Sequence, residues 1–159
     1  PYGNSKTVPF EKRYYSGGAN SVRGWSVRTL GPGSYYNSNS SSNLDYFNQC
    51  GDVRFDAAVE LRSKLFWKLE FATFLDAGNV WTLKDYQSQP GGKISDDFYE
   101  QIALSTGLGL RMITGFVVLR LDMGIKTYNP YLDGRDAWTI CRPFKSENRV
   151  VHFAVGYPF

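Results

Sequence analysis

Asp52-Val53-Arg54-Phe55-Asp56-Ala57-Ala58-Val59-Glu60-Leu61-Arg62 decides the fold class. Val53, Phe55, Ala57, Val59 and Leu61 fall on one set of alternate positions. Asp52, Arg54, Asp56, Glu60 and Arg62 fall on the other, with Ala58. Side chains alternate across a strand, so this spacing predicts a strand with one apolar and one charged face. Wound as a helix, the same charges would be spread around the axis.

Four further stretches repeat the scheme. Trp67, Leu69, Phe71, Thr73 and Leu75 oppose Lys68, Glu70, Ala72, Phe74 and Asp76. Ile102, Leu104, Thr106, Leu108, Leu110 and Met112 oppose Ala103, Ser105, Gly107, Gly109 and Arg111. Val117, Leu119, Leu121, Met123 and Ile125 oppose Val118, Arg120, Asp122, Gly124 and Lys126. Val151, Phe153, Val155, Tyr157 and Phe159 oppose His152, Ala154, Gly156 and Pro158. Each strand has about 10 residues, enough to cross a bilayer at a tilt. Residues 63–66 and 113–115 are expected as tight turns, and residues 77–101 and 128–149 as long polar loops. Short turns at one end and long loops at the other are the asymmetry of outer-membrane barrels. The fold class expected is all-β, an antiparallel transmembrane β-barrel portion of five strands over residues 51–159.

A soluble antiparallel β-sandwich that binds a ligand also has one polar face per strand, and stays open as an alternative. Against it, the polar faces carry both Arg and Asp/Glu, as a hydrated lumen does, and the apolar faces run nearly uninterrupted over membrane-crossing length. Five strands cannot close, since the smallest membrane barrels have about 8, and bare edges in lipid are costly. The chain is therefore expected to be part of a larger barrel, or to complete itself by pairing with other copies. Its start at Pro1 also suggests a processed or excised piece.

Composition agrees. Among 159 residues are 11 Tyr, 11 Phe and 4 Trp, a content suited to strands and to aromatic girdles at a bilayer surface. The formal net charge of +3 is interspersed, without a Lys/Arg-rich run, so nucleic acid is not an expected partner. The two cysteines, Cys50 and Cys141, form no C-x-x-C, and no metal or other cofactor is expected. Both fall on the long-loop side, where a bridge between them and two separate thiols both stay open. Enzyme motifs are absent: His152, the single histidine, lies on the predicted lumen face with no nucleophile motif, and Gly107-Leu108-Gly109 lacks the third glycine of a dinucleotide fingerprint.

Residues 1–50 do not alternate. Pro, Gly, Asn and Ser dominate, which predicts one long loop with a structured first half and a flexible second half. Here the chain resembles a known family. Tyr14-Tyr15-Ser16-Gly17-Gly18, Ser21-Val22-Arg23-Gly24-Trp25 and Leu30-Gly31-Pro32-Gly33 resemble the sixth extracellular loop of BamA/TamA-type outer-membrane assembly barrels, whose own form is Val-Arg-Gly-Phe/Tyr. Val59-Glu60-Leu61, Phe74-Leu75-Asp76-Ala77-Gly78-Asn79-Val80-Trp81, Ser105-Thr106-Gly107-Leu108-Gly109-Leu110-Arg111 and Leu119-Arg120-Leu121-Asp122 resemble its following strands, in order. His152-Phe153-Ala154-Val155-Gly156-Tyr157-Pro158-Phe159 resembles its C-terminal assembly signal.

The resemblance implies the sixth loop and last five strands of a 16-stranded barrel, without the first eleven strands and the periplasmic POTRA domains. It implies protein assembly, insertion or translocation at the bacterial outer membrane, with outer-membrane lipids, unfolded outer-membrane protein clients and assembly-machinery lipoproteins as partners. A two-partner secretion pore shares the loop arginine and is the second reading within transport. Arg23 is implied to enter the lumen and pair with Glu60 and Asp76, which alternation alone puts on the polar face. A guanidinium offers a fork that a carboxylate accepts two bonds at a time. Gly24 is expected to reverse the chain through a positive φ, and Trp25 to pack beside Arg23 as its cation–π partner. Phe153, Val155, Gly156, Tyr157 and Phe159 are implied to form the lateral seam and assembly signal, where an opened edge pairs with client strands.

Overall fold

A computed structural model describes residues 8–36, 49–132, 134–141 and 145–156. Five strands, β1 (Val53–Phe66), β2 (Leu69–Trp81), β3 (Ala103–Thr114), β4 (Val117–Tyr128) and β5 (Arg149–Gly156), form one antiparallel sheet in sequence order. Neighbours in the chain are neighbours in the sheet, so every connection is a hairpin or a longer meander loop. Among the described residues, short 3-10 turns are the remaining regular elements.

The sheet has inverted polarity. Along β3, Ala103, Ser105, Gly107, Gly109 and Arg111 are buried, while Leu108, Leu110 and Met112 are exposed. Val59, Leu61, Leu75, Leu121, Met123, Val151, Phe153 and Val155 are exposed on the same apolar face. The compact hydrophobic cluster is small, formed by Val22, Trp25, Leu30 and Ala103 with Tyr131 packed against it, and most of it belongs to the loop. The loop thus covers the polar face, and the apolar face is left for a lipid-like surrounding. No second sheet covers that face among the described residues, so the sandwich alternative lacks its other layer.

The strand boundaries differ from the sequence reading at both short turns and at the end of β2. β1 runs on to Phe66 through a register irregularity at 64–66, and the reversal falls at Trp67-Lys68, with Trp67 at φ 54°. The other short turn is Gly115-Phe116, between the paired Thr114 and Val117. Trp67 and Phe116 project from these two turns at 94% and 85% exposure, as interfacial aromatics do.

β2 continues to Trp81, five residues past the expected end. Its last turn of sequence loses alternation because loops cover both faces. Asn79 Nδ2 donates to the Gly33 carbonyl at 3.0 Å, and Trp81 Nε1 donates to Gln101 Oε1 at 2.7 Å. β5 is described only to Gly156, which pairs with Val118; Tyr157 and Phe159 lie outside the described residues. So does residues 37–48, the stretch read as a flexible half-loop.

Candidate functional site

The first half of the loop builds a finger. A Ser16–Leu30 bridge closes its base, and Tyr14 and Gly51 exchange backbone hydrogen bonds at 2.8 Å where the loop meets β1. At its tip the Trp25 amide donates to the Val22 carbonyl at 3.1 Å, a one-turn reversal that pushes Arg23 toward the sheet. Ser21 Oγ donates to Asp56 Oδ1 at 2.8 Å, pinning one flank to β1. Arg120 Nη2 donates to the Ala19 carbonyl at 2.5 Å and to Asn20 Oδ1 at 2.8 Å, pinning the other to β4.

Arg23 is the centre of the arrangement. Its backbone N–H and its Nε both donate to Asp76 Oδ2, at 3.1 and 2.9 Å, and Nη2 donates to Asp76 Oδ1 at 2.7 Å. Nη1 donates to Glu60 Oε2 at 2.8 Å. Asp122 Oδ2 lies 3.6 Å from Nη1 on the β4 side. Glu60 also accepts from Arg111 Nη2 at 2.5 Å and from Arg62 Nε at 2.6 Å, and Arg120 Nε stands 3.0 Å from Asp122. Charges of opposite sign therefore alternate across four strands and the loop tip. Burial opposes the charge on Arg23, but its hydrogen bonds with Asp76 and Glu60 outweigh that and hold its pKa above the ordinary value. The guanidinium is a fixed cation at every physiological pH.

The structure thus brings Arg23, Glu60 and Asp76 together. It assigns two neighbours differently from the sequence reading. The aromatic under Arg23 is Phe74, with the guanidinium carbon 3.4 Å from the ring centroid. Trp25 is buried and faces Lys126, whose Nζ is 5.5 Å from its ring. Two residues on, Trp25 points to the far side of the turn, whereas Phe74 rises from β2 beside Asp76. Gly24 does not adopt a positive φ. It is small because the loop tip lies on the sheet: a Cβ there would sit 2.6 Å from Ser105 Cβ.

Phe74, Arg111, Arg120, Asp122, Gly124 and His152 complete the site, and no motif had singled them out as its members. Alternation had put them on the polar face; only the three-dimensional register joins them to the loop. Gly124 is the seat of the tip, for a Cβ there would meet the Arg23 carbonyl oxygen at 2.1 Å. His152 Nε2 lies 3.0 Å from that same oxygen. Cys50 is buried beside Gly51, and the side chain of Cys141 lies outside the described residues. Among the described residues no group of His, Cys, Asp and Glu is arranged to hold a metal ion.

The Omp85 superfamily domain matches residues 1–159. The outer membrane protein assembly factor BamA of Neisseria meningitidis serogroup B is 31% identical over 60% of this chain and 12% of its own length. The crystal structure of BamA from Haemophilus ducreyi lacking POTRA domains 1-3 has the same fold over 94% of this chain, at 22% identity and a TM-score of 0.55, and the match covers 27% of that chain. The chain therefore spans a small part of the length of both relatives.

Proposed function

Because this chain belongs to the Omp85 superfamily, and is a portion of a bacterial outer-membrane β-barrel, we propose that it supplies the loop-bearing wall of a barrel that inserts or translocates other outer-membrane proteins, without chemical catalysis. Residues 1–50 serve as the loop and residues 51–159 as the wall. The Neisseria meningitidis relative named an outer membrane protein assembly factor supports the activity. The one observation that carries the mechanism is the three-bond grip of Asp76 on Arg23, reinforced by Glu60.

A loop held inside a lumen fixes the shape of the wall from within. Removing the arginine would leave buried carboxylates facing one another, which is costly. Phe153, Val155, Gly156, Tyr157 and Phe159 serve, in this reading, as the lateral seam and assembly signal, where an opened edge templates client strands through free N–H and C=O groups. Outer-membrane lipids, unfolded client proteins and assembly-machinery lipoproteins are the partners it calls for.

The test is insertion of a client barrel into liposomes by the full-length protein, scored by protection of the client from protease. Arg23→Ala, and the pair Glu60→Gln with Asp76→Asn, are expected to lower client insertion and to expose the loop to cleavage. Wild-type insertion with wild-type loop protection in both variants contradicts the proposal.

A further inference from the structure

Arg23 reaches opposite ends of the sheet at once. Its side chain is bound to Glu60 on β1 and Asp76 on β2. Its carbonyl oxygen points the other way, over Gly124 of β4, and meets His152 on β5 at 3.0 Å. A carbonyl only accepts, so His152 donates from Nε2, which carries its proton. The register explains how this oxygen reaches the last strand. His152 pairs with Asp122, and Val150 pairs with Gly124. The missing side chain at Gly124 opens a gap between these positions through which the loop backbone approaches the imidazole. Among the described residues, the strand partner of β5 is β4.

We infer that His152 is a latch that couples the anchored loop to the last strand, so that β5 cannot shift from its place without releasing the Arg23 carbonyl. This deepens the proposal above and rests on it, since it gives the seam strand a brace that runs through the loop tip. His152 is a positioning residue. It holds the last strand in register with a loop that is hydrogen-bonded to β1, β2 and β4 and packed on β3. Coupling of this kind is reciprocal: loosening either attachment must loosen the other.

The experiment is hydrogen–deuterium exchange on the full-length protein in lipid vesicles, with heat-modifiable migration showing that each variant is folded. His152→Ala is expected to speed exchange in residues 16–30 about fivefold, the factor that one net hydrogen bond is worth. Arg23→Ala is expected to speed exchange in residues 149–156, although its side chain does not touch β5. His152→Gln, whose amide keeps a donor at similar reach, is expected to restore most of the protection. Unchanged loop exchange in both His152 variants, alongside a loosened loop in Arg23→Ala, overturns the latch while leaving the anchored loop standing. Wild-type loop exchange in Arg23→Ala overturns the anchored loop, and the latch with it.

Discussion

Arg23 and Asp76 meet through three hydrogen bonds, of which one comes from the backbone and two from the guanidinium fork. Both side chains are almost wholly buried. The carboxylate therefore reads the path of the loop backbone as well as its charge. Glu60 differs: it takes one bond from Arg23 and has Arg62 and Arg111 as further partners. Asp76→Asn is expected to weaken loop closure by roughly 3–5 kcal/mol, as removal of one partner from a buried ion pair does. Glu60→Gln is expected to cost clearly less, because Asp76 still grips the arginine. Exchange protection of residues 16–30 in the two variants checks the order.

Arg23→Lys keeps the charge and loses the fork. An ammonium on a flexible stem cannot place donors on both oxygens of Asp76 and on Glu60 together. The variant is expected to behave closer to Arg23→Ala than to the wild type in a loop-proteolysis assay. Full protection by lysine would show that charge alone holds the tip.

Gly124→Ala adds one methyl where the Arg23 carbonyl carbon and oxygen and the Gly24 amide already lie within 2.8 Å of the would-be Cβ. All three are backbone atoms and cannot rotate away. The tip must lift, so loop protection is expected to fall about as far as in Arg23→Ala. Gly115→Ala, where nothing lies within 4 Å, is the matched control and should leave protection unchanged.

How far these residues can be found without coordinates depends on the kind of signal each leaves. Val53 to Leu61 and Leu104 to Met112 alternate because one face meets lipid and the other a charged interior, and that difference is written at every second position. Beyond Asp76 the two faces of β2 meet loops of similar character, and Asn79, Val80 and Trp81 no longer alternate although they stay paired. Glu60 and Asp76 could be assigned to Arg23 through alternation and family resemblance together. Asp122 and His152 could be given a face but no partner, being 99 and 129 residues from Arg23. Gly124 looks like any strand glycine until a loop is seen resting on it. Phe74 was hidden by its chemistry: an aromatic on a polar face reads as an exception until the guanidinium stacked on it is in view.

Phe74→Leu removes the ring beneath the guanidinium and keeps an apolar side chain of similar bulk. The loss of a largely desolvated cation–π contact is worth about 1–2 kcal/mol. Loop exchange should rise by roughly five- to thirtyfold, while Phe71→Leu, on the opposite face, should leave the loop unchanged.

Leu108 is exposed on the apolar face of β3, midway along the strand, opposite Thr73 and Met123. Leu108→Arg is expected to destabilise the folded protein in lipid by about 2–4 kcal/mol, the range for arginine on the lipid face near the midplane. Urea titration in vesicles measures it, with loop protection in the folded fraction expected to stay intact.

A double-mutant cycle on Arg23 and Asp76 tests the anchored loop most directly. Loop-opening free energies for wild type, Arg23→Ala, Asp76→Ala and the double variant would be obtained by hydrogen exchange on the full-length protein in lipid. If the two residues form one buried contact, the double variant is no worse than the poorer single one, and the coupling is about 3 kcal/mol. Additive losses, with coupling below about 0.5 kcal/mol, would show that Arg23 and Asp76 act independently and that the loop is held by something else.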